Sequence, residues 1–180
     1  MKHPIVIALV ALSFLARAQE PGRPNIDYAA LARAQAPKAI PEFVEMLSIP
    51  NDAHFPEHVE ANVRWAEQAF ARRGFRTRRL ATTPDGPPLL LCEKTVPGAS
   101  RTVLFYSHMD GQPVDPSKWA QEDPWQPVLK RRTAEGQWEA IPFDRIGQEG
   151  IDPEWRIFAR SASDDKGPVM MFLAALDALQ

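Results

Sequence analysis

Val103-Leu104-Phe105-Tyr106 runs directly into Ser107-His108-Met109-Asp110-Gly111-Gln112-Pro113-Val114-Asp115-Pro116. Four consecutive apolar residues after Arg101-Thr102 predict a strand buried on both faces, as in a parallel sheet. Ligand sites in open α/β sheets lie at the carboxyl ends of such strands. Here that end carries His108 and Asp110. On extended backbone their side chains share one face, and Met109 takes the other. Neutral imidazole is a common zinc ligand. A carboxylate two residues away can accept the other ring N–H and orient the ring. A His-x-Asp triplet alone fits a surface turn as well.

A second block answers the first: Arg160-Ser161-Ala162-Ser163-Asp164-Asp165-Lys166-Gly167-Pro168. It precedes Val169, Met170, Phe172, Leu173, Leu176 and Leu179, which recur near period 3.6 and predict a helix. An aspartate there can cap the free N–H groups of the first turn. Two adjacent carboxylates also repel one another, and a cation between elements is one way to stabilise them. Lys166 is a further candidate to offset that charge.

Together the two blocks resemble the twentieth metallopeptidase family. Its members include carnosinases and related dipeptidases, carboxypeptidase G, aminoacylases and succinyl-diaminopimelate desuccinylase. The resemblance is carried by His108 to Pro116, Trp119, Asp123-Pro124-Trp125 and Arg160 to Pro168, and runs from about Tyr28 to Gln180. The Gln-Pro-Val-Asp-Pro and Asp-Asp-Lys-Gly-Pro segments look most like the dipeptidase branch. The resemblance implies that His108 ligates one metal, that Asp110 orients His108, and that Asp164 bridges two metals. It implies a cis peptide joining Asp164 to Asp165. The implied cofactor is zinc, as two ions in the complete protein, although carboxylate-rich sites also accept manganese or cobalt. The implied reaction is amide hydrolysis of dipeptides or small N-acyl amino acids by a metal-activated water. The family also implies a Glu-Glu pair, another acidic ligand, a late histidine and an inserted lid or dimerisation domain. No Glu-Glu dipeptide occurs here. The expectation is therefore the N-terminal part of a catalytic domain over residues 27–180, inactive alone and of unassigned oligomeric state.

Composition is compatible with one domain and a real core: 180 residues, 44% hydrophobic, 24% charged, formal net charge −2. No basic run points to nucleic acid. Arg72-Arg73 and Arg76, Arg78 and Arg79 flank a helix end and read as a solvated face matched to the dipole. The single cysteine, Cys92, excludes an internal disulfide and reads as a buried inert thiol.

Residues 1–18 read as a secretory signal: Lys2, an apolar run from Ile5 to Leu15, then Ala16-Arg17-Ala18 for cleavage. Export to the periplasm or outside is expected, with no stable membrane anchor after cleavage. Residues 19–26 form a flexible lead-in. Tyr28 to Leu47 predicts helix interrupted near Pro37 and Pro41. Ile49-Pro50-Asn51-Asp52 is a turn. His54-Phe55-Pro56-Glu57-His58 matches an inverted zinc-peptidase pattern, but Pro56 disfavours one helix through both histidines and instead opens the next. Glu57 to Arg73 is an amphipathic helix with Val59, Val63, Ala66 and Phe70 inward, ended by Gly74. Strands follow at Phe75–Leu80 and Leu89–Thr95, with a turn between them. Pro113 to Glu154 is expected to be irregular, with Trp119, Trp125, Trp138 and Trp155 as a covering layer. A strand at Trp155–Ala159 then leads into the Asp164 block.

The expected fold is α/β: a mixed, largely parallel sheet flanked by helices, as a truncated zinc-peptidase-like catalytic domain. The expected function is a metal-dependent peptidase of the dipeptidase type. A binding module or remnant that keeps the fold without the chemistry is the second class. A serine hydrolase is disfavoured, because no Gly-x-Ser-x-Gly elbow exists and Ser107 merely adjoins His108 in sequence.

Overall fold

The computed structural model describes residues 26–84 and 86–179. The expected leader over residues 1–18, and all of the lead-in except Ile26, lie outside the described residues. Helix α1 spans Tyr28–Leu47 and α2 spans Pro56–Arg72. Strands β1 (Arg76–Leu80) and β2 (Leu89–Glu93) follow, then β3 (Val128–Arg132) and β4 (Trp138–Ala140). A short helix α3 (Arg145–Glu149), strand β5 (Arg156–Phe158) and helix α4 (Lys166–Ala178) complete the order.

Helix α1 begins where Asp27 accepts a hydrogen bond from the Ala30 backbone N–H at 2.9 Å, a side-chain cap on a free donor. It runs unbroken through Pro37 and Pro41, contrary to the expected interruption. Each proline deletes one backbone donor and crowds one carbonyl. Their four-residue spacing puts both defects on one side, so the helix can bend around them rather than end. Helix α2 starts at Pro56 and is followed by Gly74 at φ 79°, as its breakers predict. Its buried positions are Asn62, Val63, Trp65, Ala66 and Ala69.

The three long helices share the main core. Met46 of α1, Trp65, Ala66 and Ala69 of α2, and Val169, Met170 and Leu173 of α4 are all buried together. Burying the Met, Val and Leu side chains among these stabilises by about 1.5–3 kcal/mol each. One ion network clamps the same helices. Arg73, with a side chain 7% exposed, donates to both Glu42 oxygens at 3.1 and 2.6 Å and to both Asp177 oxygens at 2.7 Å. The expected solvated arginine face is thus wrong at Arg73: a guanidinium can be buried when carboxylates saturate its donors. Arg79 likewise pairs with Glu60 at 2.8 Å and Glu67 at 2.7 Å across to α2.

The expected largely parallel sheet is not present among the described residues. Strands β1 and β2 form an antiparallel hairpin, and β4-β3-β5 form a second antiparallel sheet. Strand β5 pairs with β3, so the stretch expected to be irregular contains a small sheet of its own. Leu129, Ile141 and Ile146 form its core, and Ile40 of α1 packs against them. Trp155 joins that packing while Trp138 remains 36% exposed, so the tryptophan layer is only partly formed. Cys92 is half-buried on β2, and burial pushes its thiol up to about 11.

Val103 to Tyr106 is the sharpest departure. It pairs with no strand among the described residues, and its four side chains are 70%, 85%, 64% and 84% exposed in order. A strand buried on both faces needs neighbours along both edges and layers above and below. Here the Phe105 ring meets Phe172 of α4 at 4.6 Å between centroids, yet all four side chains stay largely exposed.

Candidate metal centre

The period-two alternation survives where the strand does not. Met109 packs on the helical core, while His108 and Asp110 line an open cleft on the other side. The cleft, about 360 Å³, is also lined by His54, Arg160 and Asp164.

Two backbone segments hold this site in register. Asp52 forms an isolated parallel bridge with Gly111. The Gly111 N–H donates to the Asn51 carbonyl at 2.6 Å, and the Ala53 N–H to the Gly111 carbonyl at 3.0 Å. The buried Asn51 amide then joins three elements. Its Nδ2 donates to the Met109 carbonyl at 2.7 Å and to Ser161 Oγ at 2.8 Å, and its Oδ1 accepts from Trp125 Nε1 at 3.2 Å. Gly111 is required by this junction, because a Cβ there would lie 2.9 Å from both Asn51 Nδ2 and Ser161 Oγ. The Asp123-Pro124-Trp125 segment completes the frame: Asp123 accepts from the Trp125 N–H at 2.8 Å, and the Pro124 carbonyl from the Arg160 N–H at 2.6 Å. The Arg160 Nε is buried without a hydrogen-bond partner among the described residues.

Within this frame His108 meets the acidic pair. Its Nε2 is 3.4 Å from Asp164 Oδ1, its Nδ1 is 3.3 Å from Asp110 Oδ1, and its backbone N–H donates to Asp165 Oδ2 at 3.3 Å. His108, Asp164 and Asp165 each offer a ligand atom, all within 4.8 Å of one another. The Asp164 side chain is 88% exposed, so its carboxylate is free of other work in the fold. Neither aspartate caps α4 through its side chain, which removes the capping explanation for the pair. The peptide between them is cis, as the resemblance implies. One imidazole and two carboxylates form a donor set that suits zinc or manganese, and three protein ligands is the number found at open catalytic zinc sites. The residues present fit such an ion.

Lys166 does not offset this charge. It is fully buried, and its Nζ donates to the carbonyls of Met46 at 2.7 Å and Ile49 at 2.6 Å. It closes the C-terminal end of α1 onto α4, and burial lowers its pKa to about 7. His54 lies in the loop before α2, and His58 lies on α2 against Phe55 and Trp125, so the two do not form a zinc pair.

No protein-family model matches the chain. Over 92 residues it is 29% identical to the Cys-Gly metallodipeptidase dug1 of Schizosaccharomyces pombe, a match covering 51% of this chain and 15% of that protein. Its fold is similar to that of the di-peptidase Dug1p from Saccharomyces cerevisiae, with a TM-score of 0.60 at 20% identity over 83% of this chain and 30% of that one. Human carnosine dipeptidase 1 gives 0.59 at 22% identity over 84% and 29%. These likenesses agree with the resemblance of the chain to the twentieth metallopeptidase family. The chain spans less than a third of the length of these relatives.

Sequence reasoning named His108, Asp110 and Asp164 and passed over two residues that the structure places at this site. Asp165 was read only as a neighbour, yet its carboxylate joins the cluster. Asn51 was read as part of a turn, yet it is the buried hub of the frame. An Asn-Asp pair after Pro50 carries no local mark of contacts made 58 and 110 residues away.

Proposed function

We propose that this chain carries part of the two-metal site of an exported, metal-dependent hydrolase that cleaves dipeptides or small N-acyl amino acids. The observation that carries this is the convergence of His108, Asp164 and Asp165, brought from two distant segments to within 4.8 Å. The likeness to proteins named as dipeptidases supports the substrate class. His108, Asp164 and Asp165 would hold the ion, with Asp164 free to reach a second one. Zinc fits this donor set, and manganese or cobalt fit the carboxylates. When bound, the ion supplies Lewis acidity that polarises a carbonyl and makes water a nucleophile at neutral pH. The Asp110 carboxylate would accept a hydrogen bond from the His108 Nδ1–H, which fixes the tautomer and presents Nε2 toward Asp164. The frame around Asn51 keeps these groups in place before substrate arrives.

The test is calorimetric zinc binding, with a thermal melt on the same sample. The parent is expected to bind zinc, and His108→Ala and Asp164→Ala each to weaken it by tenfold or more. A folded parent that takes up no zinc would sink the metal-centre assignment. Export belongs to the same proposal and rests on Lys2, the Ile5–Leu15 run and Ala16-Arg17-Ala18. Mass spectrometry of exported material is expected to show a mature start at Gln19. An intact Met1 in that material contradicts it.

A further inference from the structure

Asp52 and His54 form a pair that the metal-centre assignment leaves unused. Asp52 Oδ1 accepts from the His54 backbone N–H at 2.9 Å and meets the His54 Nδ1 at 2.9 Å. The Asp52 side chain is only 7% exposed, while that of His54 is 72% exposed. The His54 backbone N–H, and then its ring, hold the Asp52 carboxyl below the usual carboxylate range. An ionised carboxylate can only accept, so the ring proton sits on Nδ1. With the proton on Nδ1, Nε2 carries the lone pair, and it has no protein partner among the described residues.

That ring lines the cleft that also holds His108, Asp110 and Asp164. Its position is set by backbone. Asp52 bridges Gly111, and hydrogen bonds run both ways between Gly111 and residues 51 and 53. The loop carrying His54 is therefore stitched to the loop carrying His108 and Asp110. A histidine serving only as surface would not need a buried carboxylate to aim it, since burying that charge is costly unless it is paired. His54 does not join the His108, Asp164 and Asp165 ligand group, so its role is distinct from theirs.

We infer that His54 is a substrate-contacting residue of the cleft, accepting a hydrogen bond at Nε2 from an amino or amide N–H of a small peptide. This rests on the proposed function, because the peptide must lie against the metal centre. Asp52 acts through His54, as the residue that positions its ring.

Glycyl-glycine titrated into the zinc-loaded chain provides the test, read by calorimetry and by the nitrogen shifts of the His54 ring. The expected result is movement of the Nε2 resonance on adding the dipeptide, and about tenfold weaker dipeptide binding in His54→Ala. Zinc affinity and melting temperature should match the parent, because the ring is mostly exposed. Dipeptide binding that is undiminished in His54→Ala, or an Nε2 resonance that stays still at saturation, overturns the inference while leaving the metal centre intact. Loss of zinc binding in the parent is the separate result that removes both.

Discussion

Helix α4 and the segment Val103–Tyr106 are both apolar, both adjoin the metal centre, and both read as core. Leu173 is fully buried and Met170 is 4% exposed, whereas Leu104 is 85% and Tyr106 84% exposed. The difference lies in what each needs from the rest of the chain. An amphipathic helix satisfies its own backbone and has to bury one stripe, and α1 and α2 are present to cover it. A strand of a parallel sheet satisfies nothing alone. Its hydrogen bonds and both its faces depend on other segments. Apolar composition thus states a demand for burial, and only the neighbours decide whether the demand is met.

Paired truncations would sharpen this contrast most. Leu173→Ala removes a fully buried side chain and should cost about 2–5 kcal/mol in urea-unfolding stability, because the surrounding helices cannot close the cavity. Leu104→Ala removes a side chain already in water and should change stability by about 0.5 kcal/mol or less. Equal losses at the two sites would mean that Val103–Tyr106 is covered in solution, and the contrast would break.

The same distinction explains what could be read from sequence. Pro56 and Gly74 mark the ends of α2 because their constraints are local, and each acts where expected. His108 and Asp110 share a side, as the sequence alternation predicts, even without a paired strand. Motif chemistry also identified the His108 and Asp164 blocks, and the structure brings them to 3.4 Å. What was not legible depends on distance along the chain. The partners of β5 lie in a stretch with no regular pattern, so its pairing with β3 could not be foreseen. Lys166 looked like a counter-charge because two aspartates precede it, but the Met46 and Ile49 carbonyls it binds are 120 and 117 residues away. Arg73 looked solvated because it ends a helix, and only the fold supplies Glu42 and Asp177.

That last network gives a smaller effect that probes the closed side of the comparison alone. Glu42 is held below the usual glutamate range, chiefly by its hydrogen bonds from Arg73, against the opposing effect of burial. A carboxylate whose folded pKa is depressed contributes stability that is present above the unfolded value of 4.5 and lost as pH falls through the lower folded value. Glu42→Gln keeps the shape and one acceptor but removes the charge that faces Arg73. It should cost about 1.5–3 kcal/mol at pH 7, in line with a hydrogen bond to a charged group. Asp177 keeps its two bonds to Arg73, so the guanidinium is not left unpaired. The parent's melting temperature should fall as pH drops below 4.5, and the variant's should fall less, so that the two curves converge in acid. Parallel curves would show that the clamp on α1, α2 and α4 draws its strength from packing, with the charge on Glu42 making no separate contribution.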